Sequence, residues 1–209
     1  MKNPNYFDAR ATNWDADISK VRRAQAFATE ILSHVKPLHT FSAMEYGCGT
    51  GLLSVQLQEY FSRIVLVDTS PGMLAVLGDK IKKEGFTNFQ PMLVDLEKLS
   101  SPAGAFDVIY TMMTLHHVAD IPSILKTFFM NMVAGGYLCI ADLVSEDGSF
   151  HSNDPSFDGH NGFDRVFITS ALVAAGFVVE KYSVFHTISK QVNEEVKSYP
   201  LFLVIARKQ

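Results

Sequence analysis

Cysteine is scarce in this sequence: Cys48 and Cys139 are the only two among 209 residues. Their separation does not match the short spacing of zinc ligands, and two cysteines are too few for a disulfide-stabilised scaffold. The sequence therefore predicts a protein of a reducing compartment.

Blocks of basic residues and long apolar runs are also missing. The 18 Lys and Arg residues are outnumbered by 22 Asp and Glu residues, which gives a formal net charge of −4. Nucleic-acid-binding proteins normally present a basic face, so this balance argues against a DNA or RNA partner. No run approaches the roughly 18 apolar residues of a membrane span, and the first residues form no apolar signal region. We expect a cytoplasmic protein with no membrane partner.

Internal repeats and low-complexity segments are absent, and the 47% hydrophobic content suits one sizeable core. The apolar patterns predict a chain of alternating strands and helices. Strands are expected near 40–45, 63–68, 90–95, 106–111, 136–142, 177–184 and 201–206, with a polar connection between the last two. Helices are expected over about 8–35, 51–60, 71–84 and 121–133, and from about 163 to 175. We expect one domain spanning residues 1–209, with a largely parallel sheet.

The most informative segment is the glycine-rich run from Glu45 to Gly51. It follows a short apolar strand and precedes an apolar pattern of helical spacing, so it predicts a strand-to-helix turn. Such a turn lets backbone approach a ligand and directs the amides of a helix N-terminus toward it. The dinucleotide fingerprint has glycine at its first, third and sixth positions, but here the sixth is Leu52. This spacing argues against a NAD-type oxidoreductase.

Successive strands end in polar residues that can bind a ligand. Asp68 ends an apolar run roughly 20 residues after the glycine run, where a carboxylate can accept both ribose hydroxyls. Asp95 ends the next strand, and Thr111 ends the strand that starts at Phe106. The order of these segments favours a nucleotide cofactor at one edge of the sheet.

In these segments the chain resembles the class I S-adenosylmethionine-dependent methyltransferases, especially the small-molecule group with the ubiquinone and menaquinone C-methyltransferases. The resemblance implies a Rossmann-like, doubly wound α/β fold with a mostly parallel seven-stranded sheet, an antiparallel last strand and an N-terminal helical lid. It implies that Glu45 holds the methionine end of the cofactor and that Asp95 and Leu96 contact adenine. The expected cofactor-binding residues are Glu45, Gly47, Cys48, Gly49, Gly51, Asp68, Thr69, Asp95, Leu96 and Thr111.

Two further segments are candidates for the pocket of the methyl acceptor. Residues 142–163 form a long polar stretch after a parallel strand, where ligands collect in open α/β sheets. Residues 1–35 resemble the N-terminal caps of related methyltransferases, and Tyr6 and Trp14 combine an apolar ring with a polar tip. Plain solvated turns and simple anchoring of the helix remain the alternatives. The expected acceptor-binding residues are Tyr6, Trp14, Met112, His116, Asp142, His151 and His160.

Four histidines are candidate bases. His116 and His117 follow the fourth strand, and His151 and His160 lie in the long polar stretch. For each of them a packing role competes with a catalytic one. A metal centre built from the long stretch is a sharper alternative, but no ligand spacing supports it, so the prediction is no metal. Its ligands would be Asp142, Glu146, Asp147, His151 and His160.

The predicted reaction is in-line transfer of a methyl group from the cofactor sulfonium to a small molecule. Because the sulfonium is already reactive, the protein mainly has to align donor and acceptor and exclude water. A base is needed only if the acceptor must lose a proton. A cofactor-binding protein without transferase activity remains the main alternative, and a NAD-type oxidoreductase is the other.

Overall fold

The computed structural model describes residues 4–95, 104–154 and 156–209, and its centre is a seven-stranded sheet. The strands lie in the order β3-β2-β1-β4-β5-β7-β6. Pairing is parallel from β3 through β5, and β7 runs antiparallel to both β5 and β6. This confirms the predicted sheet with its antiparallel last strand. The strands are β1 (Ser42–Tyr46), β2 (Arg63–Asp68), β3 (Phe89–Leu93), β4 (Phe106–Met112), β5 (Met132–Leu143), β6 (Phe177–Val192) and β7 (Glu195–Lys208).

Helices cover both faces of the sheet. As predicted, Pro71 and Pro122 lie in first helical turns, where the missing N–H costs nothing. The third crossover helix ends at Met130, earlier than predicted, and Gly135 lies inside β5 with a φ of 80°. The helices are α1 (Pro4–Asp8), α2 (Ile18–Val35), α3 (Leu52–Leu57), α4 (Pro71–Glu84), α5 (Ile121–Met130) and α6 (Arg165–Ala174).

The core has two layers because neighbouring strand residues point to opposite faces. In β4, Ile109 packs with α5 and α6, whereas Val108 and Tyr110 pack with α2 and α3. Within the described ranges, no helix has both the length and the apolar character that a bilayer crossing requires.

The last two strands are much longer than predicted. The polar stretch between them is itself a paired hairpin that continues to Val192 and Glu195 and turns at Asn193, whose φ is 55°. Most of its residues are polar, but Ile188 and Val192 pack with Tyr199 in a small third cluster. The sequence predicts only a polar connection here, because only one face of the hairpin is apolar.

The segment after β5 is compact. The prediction placed it at 142–163, but β5 continues through Leu143. Val144 then forms an isolated bridge with Phe163, and Ser149–His151 form one turn of 3-10 helix. The ends of this loop are therefore held together beside the carboxyl ends of β4 and β5.

Candidate active site

The loop after β1 is shaped by glycines with positive φ. Gly47 has a φ of 70°, and a Cβ there would lie 2.3 Å from Cγ2 of Thr114. Gly49 has a φ of 53°, but a Cβ there would meet no atom closer than 3.9 Å. Gly47 is therefore required for packing, whereas Gly49 leaves open space beside the backbone. Cys48, between them, is a buried free thiol that lines the adjoining cavity.

Asp68 connects the end of β2 to this loop. Its carboxylate accepts hydrogen bonds from the amides of Gly49 (2.7 Å) and Ser70 (2.9 Å), and it is only 6% exposed. Burial raises the pKa of Asp68 above its ordinary value, although the backbone amides, including that of Thr69, oppose the rise. Thr69 itself is half-buried, and its side chain lines neither of the cavities described below.

Glu45 is the second buried carboxyl group of the cavity. It accepts hydrogen bonds from the amide of Ser54 (3.2 Å) and from the Ser54 hydroxyl, whose oxygen lies 2.7 Å from the Tyr110 hydroxyl. Burial raises the pKa of Glu45 to about 8, with the Ser54 bonds and Lys80 opposing and Asp68 adding to the rise. At neutral pH this carboxyl group therefore retains its proton in the free protein.

A cavity lies between the glycine loop, the carboxyl ends of β1, β2 and β4, and the N-terminal segment. Its floor includes Glu45, Gly49 and Asp68, and its cover includes Phe7 and Trp14. It has polar groups at one end and aromatic rings above them. We call this the first cavity.

Two aspartates fasten the N-terminal segment over the first cavity. Asp8 accepts hydrogen bonds from the hydroxyl of Ser70 (2.5 Å) and the amide of Gly72 (2.8 Å). Asp15 accepts a hydrogen bond from the hydroxyl of Thr50 (2.5 Å) and forms an ion pair with Lys80 (2.7 Å). The segment is thus tied both to the glycine loop and to the start of α4.

A second cavity adjoins the first. Tyr6, His116, His151 and Lys190 are among its lining residues, together with residues of the 3-10 turn after β5. The predicted acceptor residues Tyr6, Trp14, His116 and His151 therefore lie around one cavity. The two cavities share Phe7, Trp14, Lys20, Arg23, Met113 and His117.

Three histidines are gathered beside the shared wall. Nδ1 of His116 lies 2.5 Å from Oδ1 of Asp142, whose other oxygen accepts the His116 amide at 3.2 Å, and both residues are fully buried. Burial and the neighbouring imidazoles lower the pKa of His117 to about 2 and that of His151 to about 4. The ring of His151 stacks on Phe157 with centroids 3.6 Å apart. At neutral pH His117 and His151 are neutral.

Arg23 was not foreseen from the sequence. Its side chain is 8% exposed, faces both cavities, and its Nε has no hydrogen-bond partner among the described residues. Burial lowers the pKa of its guanidinium, and the charges of Asp17 and Asp142 oppose this. A sequence signal existed, since Arg23 falls on the otherwise apolar face of α2 beside Ala24 and Phe27.

Three predicted residues take other positions. The hydroxyl of Thr111 donates to the carbonyl of Tyr46 (2.9 Å) inside the sheet and lines neither cavity. His160 also lines neither cavity, because its Nε2 lies 2.9 Å from the carbonyl of Val118 and its ring packs in the loop. Met112 lines the first cavity and not the second. The direction of the side chain determines the position of each of these three residues, and the sequence spacing does not reveal that direction.

Two further predicted cofactor-binding residues, Gly51 and Asp95, are not among the lining residues of either cavity. Gly51 precedes α3, and a Cβ there would lie 2.7 Å from Leu77, so its role is packing. Asp95 lies just beyond β3, after Val94 whose amide bonds to the carbonyl of Asp68 (3.0 Å). Leu96, the other half of the predicted adenine contact, lies outside the described residues.

Comparisons with known proteins agree with this geometry. A family model described as a methyltransferase domain matches residues 44–140. An uncharacterised methyltransferase of Schizosaccharomyces pombe is 30% identical over 119 residues, which cover 54% of this chain and 42% of the relative. A ubiquinone biosynthesis O-methyltransferase of Rhizobium etli is 23% identical over 154 residues, covering 66% of this chain and 62% of the relative. The chain thus spans less than two thirds of these curated relatives.

The fold has close counterparts among solved structures. One is a chain from the complex of the Haloferax volcanii Trm112 methyltransferase activator with its partner methyltransferase. The two chains share 16% identity, superpose with a TM-score of 0.80, and each is covered to 96%. The matched methyltransferase domain runs from β1 into β5, and the whole sheet has the fold of this methyltransferase neighbour, so the findings support a class I S-adenosylmethionine-dependent methyltransferase.

Proposed function

We propose that the protein transfers a methyl group from S-adenosylmethionine in the first cavity to a small-molecule acceptor in the second. The observation that carries this proposal is the shared wall, where Met113 and His117 border both cavities. A methyl group that lies at this wall can be attacked in line from the acceptor side.

The polar end of the first cavity suits the cofactor's ribose and methionine groups. Asp68 is placed to accept hydrogen bonds from ribose hydroxyls, in addition to those from Gly49 and Ser70. The proposed contact of Asp95 and Leu96 with adenine rests on the family resemblance alone. Glu45 faces the same cavity and offers a carboxylate, once ionised, to the positively charged methionine end.

Arg23 supplies the matching positive charge. S-adenosylmethionine carries a carboxylate, and a buried guanidinium with an unpaired N–H is the group that binds a carboxylate most strongly. Lys20, which borders the same wall, is ion-paired with Asp17 at 2.5 Å and is less available. We therefore assign the carboxylate of the methionine group to Arg23.

The chain contributes alignment and exclusion of water to the transfer. Phe7 and Trp14 cover the wall, and the loop after β5 closes the far side of the second cavity. The polar groups nearest the acceptor are the imidazoles of His116, His117 and His151. They orient the acceptor, and one of them takes a proton only if the acceptor ionises weakly at neutral pH.

Composition and fold also support a cellular location, an acceptor class and a domain organisation. A cytoplasmic location is supported by two buried cysteines that remain free thiols. A small acceptor, and not nucleic acid, is supported by the net charge of −4. The seven strands share one sheet, which supports a single domain across residues 1–209.

Calorimetry and transfer assays test the proposal together. Untagged protein is titrated with S-adenosylmethionine, S-adenosylhomocysteine and NAD, and we expect the first two to bind and NAD not to bind. Cofactor with a labelled methyl group is then supplied with a panel of small hydroxyl, amine and thiol acceptors. Tight NAD binding would restore the oxidoreductase alternative. Cofactor binding without transfer to any acceptor class would favour a binding protein.

A further inference from the structure

We propose that His116, His117 and His151 bind one divalent transition-metal ion at the wall between the two cavities. One ligand atom from each residue can be chosen so that all three atoms lie within 4.8 Å of one another. Two of the residues follow β4 and the third belongs to the 3-10 turn after β5, so the site joins separate segments. The sequence predicted no metal here and considered a different ligand set.

The ligand type points to Zn²⁺, Co²⁺ or Ni²⁺. Imidazole nitrogens suit these ions, and three protein ligands with an open fourth position are typical of a catalytic site. Tetrahedral ligands about 2.0–2.1 Å from a metal lie roughly 3.3 Å apart. A pair of ligand atoms at the 4.8 Å limit must therefore close by about 1.5 Å, and we expect the loop that carries His151, Phe150 and Phe157 to supply this by a small shift.

Asp142 holds His116 in the orientation that metal binding requires. Its Oδ1 lies 2.5 Å from Nδ1 of His116, so the other ring nitrogen, Nε2, is left to face the second cavity. The carboxylate is itself fixed, because it also accepts the amides of His116 (3.2 Å) and Leu143 (2.7 Å). A carboxylate behind a ligating histidine is the usual support of a metal site, since it sets the tautomer and raises the basicity of the ligand.

His151 provides an independent observation. Its Nδ1 is buried and has no hydrogen-bond partner in the described part of the chain. The ring is not free to turn toward solvent, because it stacks on Phe157 and meets Phe150 edge-on at 4.9 Å. A buried ring nitrogen without a partner is unfavourable, and a metal ion would satisfy it. Asp142 and Asp154 partly oppose the effect of the positive charge of Lys190 on this ring.

The site gives the metal a role that rests on the proposed function. An acceptor hydroxyl in the second cavity can take the open coordination position and release its proton to water, as metal-bound water does. The oxygen then forms its bond to the methyl carbon while the carbon–sulfur bond breaks and its electron pair stays on sulfur. No oxidant or reductant is needed. The acceptor class would then be a small molecule with a hydroxyl group near the transferred methyl.

Metal titration of untagged, chelator-treated protein is the test. Co²⁺ is added with its visible absorption as the signal, and Zn²⁺ binding is measured by competition and calorimetry. We expect one equivalent to bind, His151→Ala and His116→Ala to weaken binding by at least about 100-fold, and Asp142→Asn by about 10–100-fold. His39→Ala is the matched control, because His39 is an exposed histidine whose Nδ1 lies 3.0 Å from the Glu59 carbonyl oxygen.

Folding and cofactor binding are measured on the same samples. His151→Ala removes a loop side chain and not a core one, so its thermal unfolding should remain close to that of the wild type. The proposal is overturned if the wild type binds no stoichiometric metal, or if folded His151→Ala binds it as tightly as His39→Ala does. Methyl transfer that persists unchanged with a strong chelator would refute the metal's role but leave the proposed transferase intact. Metal binding without any cofactor binding would confirm the metal site but refute the proposed transferase, and with it the metal's role in methyl transfer.

Discussion

Replacing Glu45 by Gln should make the free protein more stable and the cofactor complex weaker. Burial raises the pKa of Glu45 from 4.5 to about 8. Between these values the unfolded chain has lost a proton that the folded protein keeps, so stability falls as pH rises through this window. At pH 7 the difference of 2.5 pH units corresponds to about 3 kcal/mol of lost stability, at 1.36 kcal/mol per unit.

Gln has nearly the same shape as Glu and does not titrate, so it should remove this pH dependence. Urea unfolding of Glu45→Gln and of the wild type is compared at pH 4.5 and pH 7. From pH 4.5 to pH 7, the wild type should lose about 3 kcal/mol of unfolding free energy relative to Glu45→Gln. Any constant change in packing or in the Ser54 hydrogen bonds cancels in this comparison. Parallel pH profiles would refute the assigned burial effect.

Cofactor binding should change in the opposite direction. A charge-assisted hydrogen bond contributes about 1.5–3 kcal/mol, so Glu45→Gln should weaken S-adenosylmethionine binding by roughly 10–150-fold in calorimetry. The wild type must also ionise Glu45 on binding, and its affinity should rise by up to about tenfold per pH unit below pH 8. If Glu45→Gln binds the cofactor as the wild type does, Glu45 does not contact the methionine end.

Three other substitutions test neighbouring parts of the site. Asp68→Ala should weaken cofactor binding by about 1–3 kcal/mol, since ribose would lose its acceptor, and calorimetry would show unchanged affinity if ribose lies elsewhere. Gly47→Ala should destabilise the fold more than Gly49→Ala, because only the methyl group added at residue 47 would lie under 3 Å from Thr114. Equal unfolding midpoints of the two variants would contradict this. Asp15→Asn should speed cofactor release in stopped-flow while costing less than about 1 kcal/mol of stability, since this ion pair is partly exposed.

The sequence predicted the strands of the nucleotide half well because their signal is local. Apolar runs that end in a polar residue identify β1, β2 and β4, and the glycine spacing separates this loop from a dinucleotide site. The hairpin of β6 and β7 was underestimated because half of its residues are polar. Its apolar residues Phe185, Ile188 and Val192 are three or four positions apart, so the sequence does not show the period of two that identifies a strand.

The acceptor side was harder to predict because its residues meet only through the sheet register. Pairing of β4 with β5 places Met112 opposite Ala141, so the residues that follow β4 lie beside the end of β5. His116 and Asp142, 26 residues apart, are thereby joined, and His151 reaches them from the next turn. Nothing in the sequence distinguishes His151 from His160, yet only His151 lies in the cavity.

The fastening of the N-terminal segment implies that cofactor entry is gated. Phe7 and Trp14 belong to the lining of the first cavity, so we expect the segment to move when the cofactor enters. Its anchor at Asp8 and the proposed ribose acceptor Asp68 share one residue, because Ser70 donates its hydroxyl to the first and its amide to the second. A ribose bound at Asp68 would therefore lie next to the residue that anchors the N-terminal segment. Association should accordingly be slower than diffusion allows, and substitution of Asp8 should speed it.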